Sequence, residues 1–138
     1  MSKMVALAAG AACVVLLPWT AEPSAWADDS THDGVVATAD TVTYEVVSPV
    51  VRAADIEYVT DSGRVFTPHV ALPWTFTVPV SDALGPPPDG SQVRADWRST
   101  RGPARWVSVR VYVNGTLICQ NTLDVGNAAC YGNTPRIT

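Results

Sequence analysis

Few side chains in this sequence could do chemistry together, and Asp55 and Glu57 are the clearest pair. Residues two apart in a strand share a face, so these carboxylates could act as acid and base on a sugar. An enzyme hypothesis adds His69 to the same cleft. Acids that alternate with Ile56 and Tyr58 are also typical of the solvent face of a strand, and no serine or cysteine nucleophile is matched to a base. We therefore predict a protein that is not an enzyme and has no catalytic residues.

Patterns for metal binding are incomplete. Asp61-Ser62-Gly63 and Asp89-Gly90 could donate oxygens to calcium, but neither forms a full loop of spaced ligands, and both are typical turns. Zinc would need more ligands than two thiols, and His32 and His69 are distant in sequence. We expect no metal and no cofactor.

A basic stripe with tryptophans is the best candidate for binding. It comprises Arg94, Arg98, Arg101, Arg105 and Arg110, with Trp97 and Trp106 between them. Such a stripe could meet anionic lipid headgroups, an acidic glycan or an acidic partner; the alternative is a solvated strand face with core tryptophans. Alternation predicts that Trp97 is buried and Trp106 exposed, so we place the possible partner surface at Arg98, Arg101, Arg105 and Trp106. The net charge of −4 argues against a nucleic-acid partner.

The amino terminus has the order of a secretory signal. Lys3 precedes an apolar run over residues 4–17, and Ala25-Trp26-Ala27 offers an A-x-A site, so we predict a signal peptide over residues 1–27 with cleavage after Ala27. The apolar run is about 14 residues, whereas a membrane span needs roughly 20. An uncleaved membrane anchor is the alternative, and lipidation of Cys13 is not favoured because the large aliphatic residue expected three positions earlier is missing.

Removal of the signal leaves two cysteines, Cys119 and Cys130, and therefore one possible pairing. Exported chains meet oxidising conditions, where an even number of cysteines indicates a disulfide. We predict this disulfide in a protein exported to the cell envelope, at the periplasmic side of the cytoplasmic membrane, or secreted.

The rest of the chain predicts an all-β domain. Residues 28–40 are small and polar, which predicts a flexible leader, and the domain is expected over residues 41–138. Apolar residues alternate with period two in residues 42–46, 53–60, 64–70, 74–80, 92–98, 107–113 and 117–123, and a terminal strand carries Cys130. We predict a small antiparallel immunoglobulin-like β-sandwich of about seven strands, preceded by a signal or anchor helix. A partly open barrel is the alternative.

The hairpin at Asn114-Gly115 requires a choice of register. A two-residue loop would turn Leu117, Cys119 and Leu123 away from the valines of the preceding strand, whereas a three-residue loop that includes Thr116 keeps them beside those valines. Burial of each leucine is worth about 1.5–3 kcal/mol. We therefore predict the three-residue loop with a bulge at its end and Cys119 pointing inward beside Val111.

Several short motifs occur in the order seen in a known family. They are Val42-Thr43-Tyr44-Glu45-Val46, Ala54-Asp55-Ile56-Glu57-Tyr58, Asp61-Ser62-Gly63, Leu72-Pro73-Trp74 and Val111-Tyr112-Val113-Asn114-Gly115. From about Thr41 to Tyr131, the chain resembles the extracytoplasmic domain of the mycobacterial MmpS family. The resemblance implies a small sandwich at the outer face of the cytoplasmic membrane that assists MmpL-type transporters of the resistance-nodulation-division class, which export lipids or siderophores.

Two features depart from that family. Its members generally keep an uncleaved membrane helix, whereas this chain has the pattern of a cleavable signal. Their first cysteine usually precedes the hairpin turn, whereas Cys119 follows it. We expect an exported, non-catalytic accessory protein for such an exporter, or for another envelope partner. The alternative is a periplasmic carrier that holds a small apolar ligand or lipid between its sheets.

Overall fold

A computed structural model describes residues 38–138, which form nine β-strands and no helix. The strands are β1 (Asp40–Val47), β2 (Ala53–Thr60), β3 (Gly63–Ala71), β4 (Trp74–Val80), β5 (Gln92–Asp96), β6 (Val107–Val113), β7 (Thr116–Leu123), β8 (Asn127–Tyr131) and β9 (Arg136–Ile137). The predicted signal peptide with Ala25 and Ala27, and the predicted leader up to residue 37, lie outside the described residues. Within the described part, no helix is long and apolar enough to span a membrane.

The strands form two sheets. The five-stranded sheet has the order β4-β1-β6-β7-β9, and the four-stranded sheet has the order β3-β2-β5-β8. All pairings are antiparallel except the short one between β7 and β9. The two sheets share no strand, and one apolar cluster contains side chains from both. The architecture is therefore sandwich-like, and the alternative of a partly open barrel is not what forms.

Alternation of side chains explains the core. Val107, Val109 and Val111 of β6 are fully buried, while the residues between them are half-buried on the outer face. On the facing sheet Ile56 and Val93 are also fully buried, as is Trp97 directly after β5. The alternation of buried and less buried side chains is clearest in β1, β2, β6 and β8, whereas no residue of β3 is fully buried.

The hairpin corrects the predicted register. The loop has two residues, not three, because Val113 pairs directly with Thr116. Asn114 and Gly115 adopt left-handed backbone angles, with φ of 51° and 81°, as a tight primed turn requires. A register shift within β7 then leaves one extra residue between Leu117, which pairs with Tyr112, and Cys119. Leu117 therefore shares the outer face with Tyr112, contrary to the prediction.

The register shift preserves the predicted environment of the cysteine. Cys119 pairs with Val111 and is buried on the same inner face, and Leu123 pairs with Val107. The extra residue is Ile118, which also packs against the core. The extra residue that was predicted in the loop therefore lies inside β7, where a bulge brings the following side chains to the inner face.

The segment between β4 and β5 forms the predicted loop. The backbone N–H of Ser91 and its hydroxyl both donate to the carbonyl oxygen of Ala83, at 3.0 and 2.6 Å. Gly132 in turn donates its N–H to the carbonyl of Ser91 at 2.9 Å. These bonds hold the proline-rich segment against the edge of the four-stranded sheet.

Candidate functional site: the basic end of the sandwich

Three connections meet at one end of the sandwich, which we call the basic end. They are residues 48–52, 97–106 and 124–126, and they carry Arg52, Arg98, Arg101 and Arg105. Three of the four residues predicted as a partner surface are arginines of this end, and the fourth, Trp106, is there too. All four predicted residues therefore lie in one connection at this end of the sandwich, and Arg52 lies in a second connection at the same end.

Hydrogen bonds between the connections hold the basic end as one unit. The Ser48 hydroxyl donates to the carbonyl oxygen of Trp106 at 2.6 Å, which joins the first connection to the second. The N–H of Trp97 donates to the carbonyl of Gly126 at 2.7 Å, which joins the second to the third. These contacts limit loop motion, so the arginines are displayed on a defined surface.

Trp97 anchors the longest connection, residues 97–106, from the core side. Its side chain is fully buried, as predicted, and its indole N–H donates to the carbonyl oxygen of Arg105 at 2.9 Å. Arg105 also donates its guanidinium to the carbonyl of Thr100, which closes the loop on itself. A core side chain therefore fixes the backbone that presents the exposed arginines.

Each of the three connections carries one exposed large apolar side chain. Val50 is 51% exposed, Trp106 is 46% exposed and Val125 is 64% exposed. Exposure of Trp106 was predicted from the sequence. Large apolar side chains next to arginines are typical of surfaces that bind a partner, because they combine apolar area with directed hydrogen bonds.

Acidic groups offset part of this positive charge. Asp96 accepts from the guanidinium of Arg98 at 2.5 and 3.0 Å, and this pairing holds the pKa of the Asp96 carboxyl below its ordinary value. Asp124 lies in the third connection. The three connections themselves carry four arginines and one acid, Asp124, so they are net positive in a chain that is net negative.

The opposite end of the sandwich is acidic. Asp61, Asp82 and Asp89 line one surface depression of about 250 Å³ there. Both turns considered for calcium are therefore brought together, but Asp61 uses its Oδ1 to accept from the N–H and hydroxyl of Ser81 at 2.7 and 3.0 Å. In residues 38–138, no three His, Cys, Asp or Glu side chains are grouped so that they could hold a metal ion.

Two arginines of the predicted stripe lie outside the three connections of the basic end. Arg94 is on the outer face of the four-stranded sheet, in register with Glu57. Arg110 is on the outer face of the other sheet, where it donates to Glu45 Oε2 at 2.8 Å and Gln120 Oε1 at 2.7 Å. Arg94 lines one depression together with Arg98, so Arg110 is the member of the stripe that lies on the other sheet.

The carboxylates of the enzyme hypothesis share a face, as predicted. Asp55 and Glu57 line a shallow depression of about 260 Å³. Glu57 accepts from Arg64 at 2.8 Å, and Asp55 accepts from the backbone N–H of His69 at 2.8 Å. Each carboxylate thus has a structural partner, and the histidine contributes its backbone to this contact.

The space between the sheets is filled with side chains. Trp97, Tyr44 and Ile56 are the largest fully buried ones. The Tyr44 hydroxyl donates to the Val59 carbonyl at 2.8 Å and accepts from the Gln92 N–H at 3.3 Å, and burial raises its pKa to about 12. A separate cleft of about 440 Å³ opens beside Cys119, between β7 and β8.

Sequence reasoning missed Arg52, Val50 and Val125 as members of the basic end. Each lies in a short connection without periodicity, and only the pairing of distant strands brings these connections together. Searches with the sequence found no matching family model and no matching curated protein.

Proposed function

We propose that this protein is an exported, non-catalytic accessory protein of the cell envelope that assists an MmpL-type exporter of lipids or siderophores. The observation that carries the proposal is the basic end, where arginines and exposed apolar side chains from three connections are tied into one surface. The resemblance of the sequence motifs to the MmpS family supplies the kind of partner.

The chemistry of the basic end suits an acidic partner surface. The planar guanidinium presents paired donors to a carboxylate or phosphate, and Arg52 and Arg101 are exposed. Trp106 adds apolar area that loses water on contact. Charge complementarity of this kind increases the rate of association and fixes orientation.

Export is the second part of the proposal. The disulfide between Cys119 and Cys130 is compatible with an oxidising compartment. We propose that the signal over residues 1–27 is cut after Ala27 and that the two-sheet domain is immunoglobulin-like. Amino-terminal sequencing of the exported protein tests cleavage, because a chain that starts at Asp28 is a free form and an intact amino terminus is a tethered one.

Copurification from envelope extracts tests the partner. The affinity-tagged protein is expected to recover a resistance-nodulation-division exporter, and the combined variant Arg52→Glu, Arg101→Glu, Trp106→Ala is expected to lose it. The matched control, Asp89→Arg, changes charge at the acidic end and should recover as much exporter as the unaltered protein. If the unaltered protein recovers no exporter, the proposed function is wrong.

A carrier role is the second candidate, and the cleft beside Cys119 is the observation that favours it. Its lining combines the apolar side chain of Leu123 with polar ones such as Asn121 and Asn127. The cleft is lined by β7 and β8, which belong to different sheets, so it opens between the sheets, where a carried ligand is expected. Organic extraction of the purified protein should then release a bound lipid.

A further inference from the structure

β4 is an edge strand with an unusual composition. In the part of the chain that the structure describes, it pairs with β1 on one side only. Its sequence, WTFTVPV, carries no charged residue, and its register with β1 runs without a bulge from Trp74 to Val80. Edge strands are usually protected by charges or bulges, because their free backbone groups can pair with another strand.

β3, an edge strand of the four-stranded sheet, shows the protection that β4 lacks. β3 has a register shift opposite β2, and it carries Arg64, Pro68 and the exposed His69. His69 adopts a left-handed backbone angle, with φ of 53°, which breaks the regular edge. The remaining edge strands are shorter, with five residues in β8 and two in β9 against seven in β4. β4 is therefore the long, regular and uncharged edge that is open to pairing.

The inner face of β4 is also incompletely covered. Phe76 is in register with Tyr44 of β1 and therefore points toward the core side, yet it is 38% exposed. It stacks on Trp74, with ring centroids 6.1 Å apart and planes 8° apart, and both rings contact Tyr58. An aromatic cluster that begins in the core thus ends at this open edge.

The direction of the backbone groups defines how a new strand can pair. The N–H of Asn114 on the β6 side donates to the carbonyl oxygen of Thr41 at 2.8 Å, so Thr41 of β1 points toward β6. Backbone groups alternate along a strand, so Val42 and Tyr44 point toward β4. Their partners Val78 and Phe76 point back at β1. The groups that face outward from β4 are therefore those of Thr75, Thr77 and Pro79.

We propose that β4 pairs with β4 of a second copy of this chain, antiparallel and centred on Phe76. In this register, Thr75 of each copy lies opposite Thr77 of the other, and their outward N–H and C=O groups form four hydrogen bonds. Centring on Thr77 would instead place Pro79, which has no N–H, in two of the bonding positions. The missing donor of Pro79 thus selects the register.

The proposed pairing also completes the inner face. Phe76 of one copy lies opposite Phe76 of the other, and Trp74 lies opposite Val78, so large and small apolar side chains meet across the new junction. The two five-stranded sheets become one continuous sheet. This self-association is independent of the proposed exporter partner.

Sedimentation equilibrium of the exported protein tests the proposal, with Thr77→Pro as the disrupting variant. Because the Thr77 N–H faces outward, proline removes two of the four intermolecular bonds and none of the backbone bonds to β1. The side-chain bond between the Thr77 and Thr43 hydroxyls, at 2.9 Å, is lost in Thr77→Pro and in Thr77→Val alike. The unaltered protein should sediment as a dimer of the expressed chain. The dissociation constant of the Thr77→Pro dimer should be at least ten-fold higher. Thr77→Val, which keeps the N–H, is the matched control and should remain dimeric.

A second measurement tests the register and does not depend on the folding of the proline variant. In a Cys13→Ser background, Thr75→Cys and Thr77→Cys proteins are mixed and oxidised. The proposed register places these cysteines opposite each other, within reach of a disulfide, so the mixed dimer should form in preference to either homodimer. A monomeric unaltered protein, or preferential formation of the Thr77→Cys homodimer, would overturn the proposal.

Discussion

Cys119 and Cys130 form a disulfide that joins the two sheets, with their Cα atoms 5.7 Å apart. Cys119 lies on β7 of the five-stranded sheet, and Cys130 lies on β8 of the four-stranded sheet. Both sulfurs are buried in the apolar cluster. The bond therefore fixes one side of the sandwich covalently, whereas the side formed by β3 and β4 depends on packing.

Reduction of this disulfide should destabilise the domain. Its closed loop is short, with a sequence separation of 11, and the loss of the cross-link is expected to cost about 3 kcal/mol. Thermal unfolding with dithiothreitol should therefore show a midpoint about 10 °C or more lower. The combined variant Cys119→Ala, Cys130→Ala should melt at the lower temperature with or without reductant. An unchanged midpoint on reduction would show that the cross-link contributes nothing.

The buried hydroxyl of Tyr44 should matter for stability at neutral pH. Tyr44→Phe keeps the ring but leaves the Val59 carbonyl without its 2.8 Å donor, and an unsatisfied buried group costs about 1–3 kcal/mol. Urea unfolding at neutral pH measures this loss. Tyr112→Phe, which removes a half-buried hydroxyl from the outer face, is the matched control and should cost less.

The same hydroxyl gives a pH dependence of known sign. Burial raises the pKa of Tyr44 from 10.0 in the unfolded chain to about 12. Between these values the unfolded state loses the proton while the folded state keeps it, so the free energy of unfolding falls as pH rises. Stability should be retained below pH 10 and decrease between 10 and about 12. Tyr44→Phe should show a smaller decrease; an equal decrease would contradict the assignment.

The turn of the β6–β7 hairpin should depend on its two residues. Gly115 has φ of 81°, so Gly115→Ala places a β-carbon in the left-handed region and should cost about 1 kcal/mol. Gly115→Asn should cost less, because asparagine tolerates that region. Asn114→Ala should also destabilise, since the Asn114 side chain accepts from Thr41 N at 2.9 Å and donates to Asp40 Oδ1 at 2.9 Å. Chemical unfolding of the three variants checks this order.

Trp97 should control the order of the basic end. Trp97→Phe removes the indole donor to the Arg105 carbonyl and part of a fully buried side chain, so residues 97–106 should open more often. Trypsin should then cut after Arg101 and Arg105 faster than in the unaltered protein. Val109→Ala, a core variant on β6, is the control. When the two variants are compared under conditions where they have the same free energy of unfolding, Val109→Ala should accelerate cleavage at these two arginines less than Trp97→Phe does. Equal acceleration in both variants would indicate general unfolding.

Strand positions could be predicted because the alternation of apolar and polar residues in the sequence follows the alternation of buried and exposed side chains in a strand. The bounds of β2, β4 and β6 match the predicted segments, since each has apolar side chains at every second position. β9 was missed because two residues cannot show a period, and its pairing with β7 depends on the path of the chain after β8. Residues 38–138 form nine strands where about seven were predicted.

The hairpin shows where pattern alone is insufficient. Leu117, Ile118 and Cys119 are three consecutive apolar residues, so the alternation of inner and outer side chains is interrupted here. An extra residue either in the loop or within the strand can produce this interruption. The asparagine–glycine turn satisfies its own backbone preference with two residues, and the bulge then forms in β7. The basic end was predicted in part, because Arg98, Arg101, Arg105 and Trp106 are close in sequence. Arg52 comes from a connection that only the folded structure brings beside them.

Site-specific photocrosslinking in the living cell tests most directly whether this protein acts through its basic end. A photoreactive amino acid is introduced at position 106, and in a second strain at position 89 of the acidic end. We predict a covalent adduct with a membrane exporter from position 106 and none from position 89. Equal adducts from both positions, or no exporter adduct from position 106, would contradict the proposed role of the basic end.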